Sequence, residues 1–351
     1  MRGLSRGQTA ILGVVAGLTA VTAFMHYSDA NPTATFIVAG AALAGVAWIV
    51  SFATEQVGER FGPAVTGILQ STLGNLPEFF IVIFALSAGE VVVAKTSLIG
   101  SLFANALLVL GIVIVVGARA GGGCMRFSTR LPRDTTTLLL LAVFTIVIVG
   151  IAVQSGAKAG EHVKGISIAG AVSLLIVYFL WVSSYLRSDE PREPAHTTPA
   201  VPLSVSIVLL GIAGVAAAFV SDWFIQALDP AVEALGISKE FAGLVLVAIA
   251  GNAVENATGV VFAAKGQSDL AISVVKNSVA QIAAFLFPAL VLVSLFFKNT
   301  LTFELSPVYI GALLLTALAI WQITGDGEAG EFEGAALIGL YVVLGAFALA
   351  D

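Results

Sequence analysis

Eleven apolar blocks, each long enough to cross a bilayer, run through this chain, and that pattern decides its fold class before any single residue is read. A membrane-spanning helix needs roughly 20 predominantly apolar residues. The blocks lie near 9–26, 33–54, 62–87, 91–117, 135–154, 164–186, 202–227, 241–264, 270–296, 305–323 and 333–350. Of the 351 residues, 58% are hydrophobic and 11% charged, against about 25% charged in soluble domains. Each block is expected to be helix, because a lone strand cannot satisfy its backbone in lipid. The expectation is an all-α polytopic membrane protein with eleven transmembrane helices embedded in the lipid bilayer. Arg2 and Arg6 before the apolar run from Thr9 to Met25 also fit a cleaved signal peptide. With so many spans following, residues 1–30 read better as a first, uncleaved transmembrane helix.

Composition removes several function classes. There is no basic patch with interleaved aromatics, so nucleic acid is not an expected partner, and the net charge of −6 adds nothing on that point. Cys124 is the single cysteine, which excludes an internal disulfide. Three histidines without an HExxH-type pair leave no soft-metal centre. No cofactor is expected.

The chain contains a repeat. Gly74, Asn75 and Glu78 recur as Gly251, Asn252 and Glu255, and positions 78 and 255 differ by 177. The same offset pairs Gly89 with Gly266, Ala94 with Ala271, Ser101 with Ser278 and Ala106 with Ala283. Upstream, Ala53, Glu55 and Gly58 recur as Ala231, Glu233 and Gly236 with one slipped residue. Scattered Gly and Ala matches are cheap in so apolar a chain; two buried Glu with their Asn and Gly at one spacing are not. Five spans separate each element from its copy, and an odd number inverts the copy in the membrane. The expected layout is one extra helix (1–30), a first five-helix repeat (31–187), a polar linker (188–201) and a second five-helix repeat (202–351). Inverted repeats mark alternating-access transporters, with the site at the midplane between the halves. Positive charges orient the chain. With the N-terminus cytoplasmic, ten Lys and Arg fall on the cytoplasmic side and five on the other, with Lys276 inside a span. The C-terminus is then outside.

Glu78 and Glu255 sit deep in apolar spans, where a carboxylate is expensive and usually functional. One from each repeat would meet near the pseudo-two-fold axis, matching the charge of one divalent cation. Asn75 and Asn252 lie one turn before them on the same helix faces. Such oxygen ligands suit a hard cation such as Ca²⁺. The following spans add Ser101 and Asn105 in one copy and Ser278 and Gln281 in the other, which can complete a coordination shell. Pro77 is expected to break a backbone hydrogen bond beside Glu78 and free a carbonyl; the second copy has Val254 there. Burial and like-charge proximity raise a carboxyl pKa, so the same pair should hold either protons or Ca²⁺. The bland readings are a buried structural Glu pair, small polar residues that only pack helices, and close-packing glycines at 74, 100, 111 and 251. Glu55, Glu59 and Glu233 near span ends read as solvated. The acidic stretch Asp326, Glu328, Glu331 and Glu333 reads as a solvated turn or as a cytoplasmic attractor for divalent cations. Lys276 central in a span is read as structural, because it lies about 200° around the helix from Ser278. Asn277 or Glu233 is its expected partner.

These motifs resemble the calcium/cation–proton exchangers, the CAX family. Ala53-Thr54-Glu55 through Gly74-Asn75-Leu76-Pro77-Glu78, followed by Gly100, Ser101 and Asn105, is similar to that family's first repeat. The run Ile249 to Thr258 with Gln281 is similar to its second, and Asp326-Gly327 with Phe332-Glu333-Gly334 to the stretch before its last helix. The resemblance covers most of the chain from about residue 45. It implies an eleven-helix antiporter with Glu78 and Glu255 as the cation and proton site. It also implies that the helices carrying Glu55 and Glu233 slide or tilt as gates. Asn256, Asn277 and Lys276 depart from the family's usual His, Gly and apolar residue. The long N-terminal extension of some eukaryotic members is absent, which favours a prokaryotic plasma membrane. The leading expectation is a Ca²⁺/H⁺ antiporter and not an enzyme; the alternative is the same fold using Na⁺ or carrying another divalent cation. An intramembrane aspartyl protease would need a Gly-x-Gly-Asp motif, which is missing, and a channel would not need inverted repeats.

Overall fold

The computed structural model describes residues 4–61, 73–187 and 201–350. The side chains of 58–61, 185–187 and 255 fall outside that description, as do the polar linker 188–200 and the first part of the block expected near 62–87. The helices are α1 (Arg6–Tyr27), α2 (Pro32–Phe61), α3 (Leu76–Ala88), α4 (Val91–Ala120), α5 (Arg130–Gln154) and α6 (Val163–Arg187). They continue as α7 (Leu203–Leu235), α8 (Lys239–Gly251), α9 (Ala253–Ala264), α10 (Ser268–Phe296), α11 (Pro307–Thr324) and α12 (Glu331–Ala350). Most are apolar around much of their circumference, as helices in lipid are.

Among the described residues nine helices are long and apolar enough to cross a membrane, and the bent pair Lys239–Gly251 and Asn256–Ala264 makes a tenth. The block near 62–87 contributes the 13-residue α3, preceded by residues outside the description. One feature was not expected: a two-stranded antiparallel pair, β1 (Cys124–Arg126) with β2 (Glu328–Gly330), joins two loops.

Helix packing places the site. α2 lies along α7, and α1 rests on the outside of both. The first half of α4 packs on residues 242–247 of α8, and its second half on α9 and α12. α5 packs on α6, α10 and α11. One apolar core runs through these contacts, from Phe36 on α2 to Ala348 on α12.

The loops fall into two layers. In one, Arg119 pairs with Glu331, Arg126 with Glu328 at 3.1 Å, and Ser128 N donates to Asp269 Oδ1 at 2.6 Å. In the other, Lys239 Nζ donates to Glu90 at 2.7 Å and Asp229 at 2.9 Å, and Ser238 Oγ to Ala348 O at 2.6 Å. Lys95 Nζ to Glu304 O (2.8 Å) and Phe303 N to Ser167 Oγ (3.1 Å) belong to this second layer. Loops at alternate ends of successive spans thus meet in alternate layers.

Candidate functional site

Two helix breaks build the site. Asn75 precedes α3 with φ −91° and ψ 23°, and Asn252 precedes α9 with φ −100° and ψ 9°. In each case the Asn carbonyl accepts the first helical bond, from Phe79 N and Asn256 N, both at 3.0 Å. The expectation for Pro77 is corrected here. It occupies the first turn of α3, where a missing N–H loses no helical bond, and the break lies before it. The second break forms with Val254 in that place. The Gly-Asn pair, not the proline, marks both breaks.

The expected polar residues meet across the two halves. Asn252 Nδ2 donates to Ser101 Oγ at 2.8 Å and to Ala248 O at 2.9 Å, and its Oδ1 accepts from Asn105 Nδ2 at 2.9 Å. Asn105 Nδ2 also reaches Ser278 Oγ at 3.0 Å. Asn75 Nδ2 donates to Gln281 Oε1 at 3.3 Å. Every partner but Gln281 is buried, and Gln281 is half-buried. The helix carrying Asn105 takes π-helical turns over Ala104–Val109, and α10 does so over Ile282–Leu286, just past Gln281. Such bulges re-aim side chains and often sit at functional sites. Two buried amide oxygens of this chain of contacts, Asn75 Oδ1 and Asn105 Oδ1, meet no donor among the described residues. A buried acceptor without a donor is costly; a hard cation is the partner such oxygens suit.

Glu78, 6% exposed, lies against the other half. A Cβ at Gly251 would stand 2.9 Å from Glu78 Oε1 and 3.1 Å from its Cγ, so only glycine lets the carboxylate approach the second break this closely. Glu78, Ser97, Ser101 and Val247 line one narrow crevice. Ser97 was not anticipated, although its spacing of one turn from Ser101 puts it on the same face of α4. Glu255 lies on α9 one turn past Asn252, with its side chain outside the described residues.

Glu55 and Glu233 are exposed, toward the ends of α2 and α7, as span-end residues should be. Glu59 lies outside the described side chains. The acidic stretch is tied into the loop layer: Glu331 and Glu328 pair with arginines, Asp326 Oδ1 accepts from Glu328 N, and Glu333 Oε2 from Gly330 N. Lys276 points away from Ser278. Its Nζ donates to Thr136 Oγ1 at 2.6 Å and Thr324 Oγ1 at 3.3 Å. The expected partners Asn277 and Glu233 are replaced by these two hydroxyls; a lysine stem reaches neighbouring helices more readily than it folds back to its own adjacent residue.

The profile of the sodium/calcium exchanger protein family matches residues 31–186 and 205–350. This chain belongs to the sodium/calcium exchanger family. The vacuolar calcium ion transporter of Schizosaccharomyces pombe is 31% identical over 325 residues, covering 90% of this chain and 78% of the relative. A Ca²⁺/H⁺ antiporter of Synechocystis is 30% identical over 346 residues, covering 91% of each. The structure of native YfkE superposes with a TM-score of 0.82 at 26% identity, over 97% of this chain and 100% of that one. The resemblance to the calcium/cation–proton exchangers is thereby borne out.

Proposed function

We propose that the protein is a secondary antiporter that exchanges Ca²⁺ for H⁺ by alternating access. The observation that carries this reading is the buried amide, hydroxyl and carboxylate cluster drawn from both helix breaks, with Glu78 seated against Gly251. The names of the relatives, transporters of calcium and antiporters of Ca²⁺ and H⁺, support the choice of ions. In this reading the chain is one extra helix plus two inverted five-helix repeats, eleven spans in all. Glu78 and Glu255 bind either one Ca²⁺ or protons, with Asn75, Asn252, Ser101, Asn105, Ser278 and Gln281 supplying or positioning oxygens. The matched backbone angles at Asn75 and Asn252 support the repeat.

The chemistry follows from competition for the same oxygens. Burial favours the neutral carboxylic acid, and a bound divalent cation favours the carboxylate. Ca²⁺ entry therefore expels protons, and protonation expels Ca²⁺. Exchange becomes obligatory if the empty, charged site cannot cross between the two orientations. The helices carrying Glu55 and Glu233 act as gates. The membrane is a prokaryotic plasma membrane, and the arginine-rich loop layer faces the cytoplasm by the positive-inside rule.

The test is Ca²⁺ flux into proteoliposomes driven by a pH step, with and without Na⁺. Uptake that follows the pH step without Na⁺ supports the reading; uptake that requires a Na⁺ gradient replaces it with Na⁺/Ca²⁺ exchange. Glu78→Gln and Glu255→Gln should each abolish uptake while the protein still inserts. Robust exchange by either variant would refute the two-glutamate site.

A further inference from the structure

Lys239 Nζ holds two carboxylates at once, Glu90 at 2.7 Å and Asp229 at 2.9 Å. The three residues come from three places in the fold. Glu90 stands in the turn between α3 and α4, fixed by its own N–H on Ala85 O at 2.8 Å. Lys239 opens α8. Asp229 lies on α7, one turn before Glu233. The Glu90 arm of the bridge ties the α3–α4 turn to the start of α8, and the Asp229 arm ties α7 to both.

The bridge stands over a path to the proposed site. The crevice that holds Glu78, Val82, Ser97, Ser101 and Val247 is walled by α3, α4 and α8, the helices whose ends meet at the bridge. From Glu78 to Val82, α3 runs toward Glu90. Ser97 lies about 9 Å along α4 from its start, and Val247 about 12 Å along α8. The crevice therefore leads from the amide cluster toward the second loop layer, with the Ser97 hydroxyl on its wall. It is shut: no residue lining it is more than 6% exposed, and it is too narrow for a water molecule. Opening it to this face requires the helix ends to part and α7 to move aside. α7 yields most readily at Pro230, the residue after Asp229, whose nitrogen has no hydrogen to give to Gln226 O.

Ion pairs that water still reaches bias an equilibrium by a few-fold and do not fix it. The side chains of Glu90, Lys239 and Asp229 are 21%, 38% and 46% exposed, so the bridge can hold a closed state and still release it. The opposite face has no counterpart in the sequence. At the offsets that relate the two halves, Gln267 matches Glu90, Ser51 matches Asp229, and Phe61 or Gly62 matches Lys239.

Resting on the exchanger reading above, we propose that Glu90, Lys239 and Asp229 form a one-sided latch. The bridge holds α7 against the ends of α3, α4 and α8 and keeps the path from the second loop layer to Glu78 shut; its release opens that path. The latch adds a barrier at this face alone.

The experiment follows labelling of Val82→Cys by a hydrophilic maleimide, in the full chain carrying Cys124→Ser and held in lipid nanodiscs, where both faces meet the reagent. Ala171→Cys reports general loosening, because Ala171 is 0% exposed on α6, which packs on α5 and α10. Lys239→Met should speed labelling of Val82→Cys about three- to tenfold and leave Ala171→Cys unchanged. Lys239→Arg, which keeps both pairs, should stay within about twofold of the parent. Asp229→Asn should also speed labelling, and should add little once Lys239 is replaced, because the residues act as one unit. An unchanged rate at Val82→Cys in Lys239→Met, or an equal rise at Ala171→Cys, overturns the latch. If Lys239→Met does not fold, Asp229→Asn decides by the same two rates. The exchanger reading is judged separately by Ca²⁺ uptake of the parent in the flux assay above. Uptake with unchanged labelling removes the latch alone, and the expected labelling without uptake removes the exchanger reading and leaves a latched path.

Discussion

At the scale of residues, Glu78 and Gly251 approach each other closely across the two halves. The carboxylate end of a glutamate is flexible, so a methyl group added at 251 displaces it without forcing backbone apart; the nearest atoms are Oε1 at 2.9 Å, Cγ at 3.1 Å and Cδ at 3.2 Å. Gly251→Ala should therefore leave the fold nearly as stable, within about 1.5 kcal/mol. It should lower Ca²⁺ affinity by about ten- to a hundredfold, because a site of fixed geometry tolerates little displacement. Calorimetric titration alongside a thermal melt separates the two effects, and an unchanged affinity would show that Glu78 does not depend on this seat. Most of these residues were legible in the sequence, because Asn75, Asn252, Ser101, Asn105 and Gln281 are polar between apolar neighbours, and Ser278 pairs with Ser101 at the repeat offset. Ser97 was not, because a lone serine in a span is usually a packing residue. The partners of Lys276 were not either, since Thr136 and Thr324 are 140 and 48 residues away.

At the scale of elements, the site depends on how closely α4 meets α8. A Cβ at Gly100 would stand 2.6 Å from Leu244 Cα, and Leu244 belongs to the π-helical turns Ala242–Val247. Here the obstacle is backbone, which cannot swing aside. Gly100→Ala should cost about 1–3 kcal/mol, and by pushing α8 from α4 it should also loosen the Asn252–Ser101 bond at 2.8 Å. The expected outcome is a lower melting temperature together with weaker Ca²⁺ binding, and a variant as stable as the parent would mean that the helices separate freely here. The spans themselves were readable from hydropathy, since twenty apolar residues have few other uses. Their breaks were not, because hydropathy is the same on either side of Asn75 and Asn252. The strand pair Cys124–Arg126 with Glu328–Gly330 was hidden too; three residues give no alternation to detect.

At the scale of the whole molecule, two expectations follow from a buried site between two loop layers. The first is pH dependence. If protons and Ca²⁺ share Glu78 and Glu255, lowering pH protonates the carboxylates and weakens Ca²⁺ binding. Below the pKa values of the pair, the fall is about tenfold per pH unit for one displaced proton and about a hundredfold for two. Calorimetry at several pH values measures the slope, and a binding constant that ignores pH would end the shared-site reading. The second is orientation. Arg119, Arg126 and Arg133 stand in the loop layer that holds Asp269 and Glu331, whereas Lys95, Lys239 and the end of α12 stand in the other. Because the layers alternate along the chain, fixing one loop fixes all the loops in both. On the proposed orientation, in which the arginine-rich first layer faces the cytoplasm, Ala348, bonded to Ser238 in the opposite layer, is expected outside. A reporter joined after Asp351 should then show external activity, and one inserted at Gly122 or Gly123, beside β1, cytoplasmic activity. Both reporters must lie on opposite sides if the layers are the two faces of one membrane domain. Finding them on the same side would break the alternation itself, and finding them opposite but exchanged would leave the fold intact while reversing which face meets the cytoplasm.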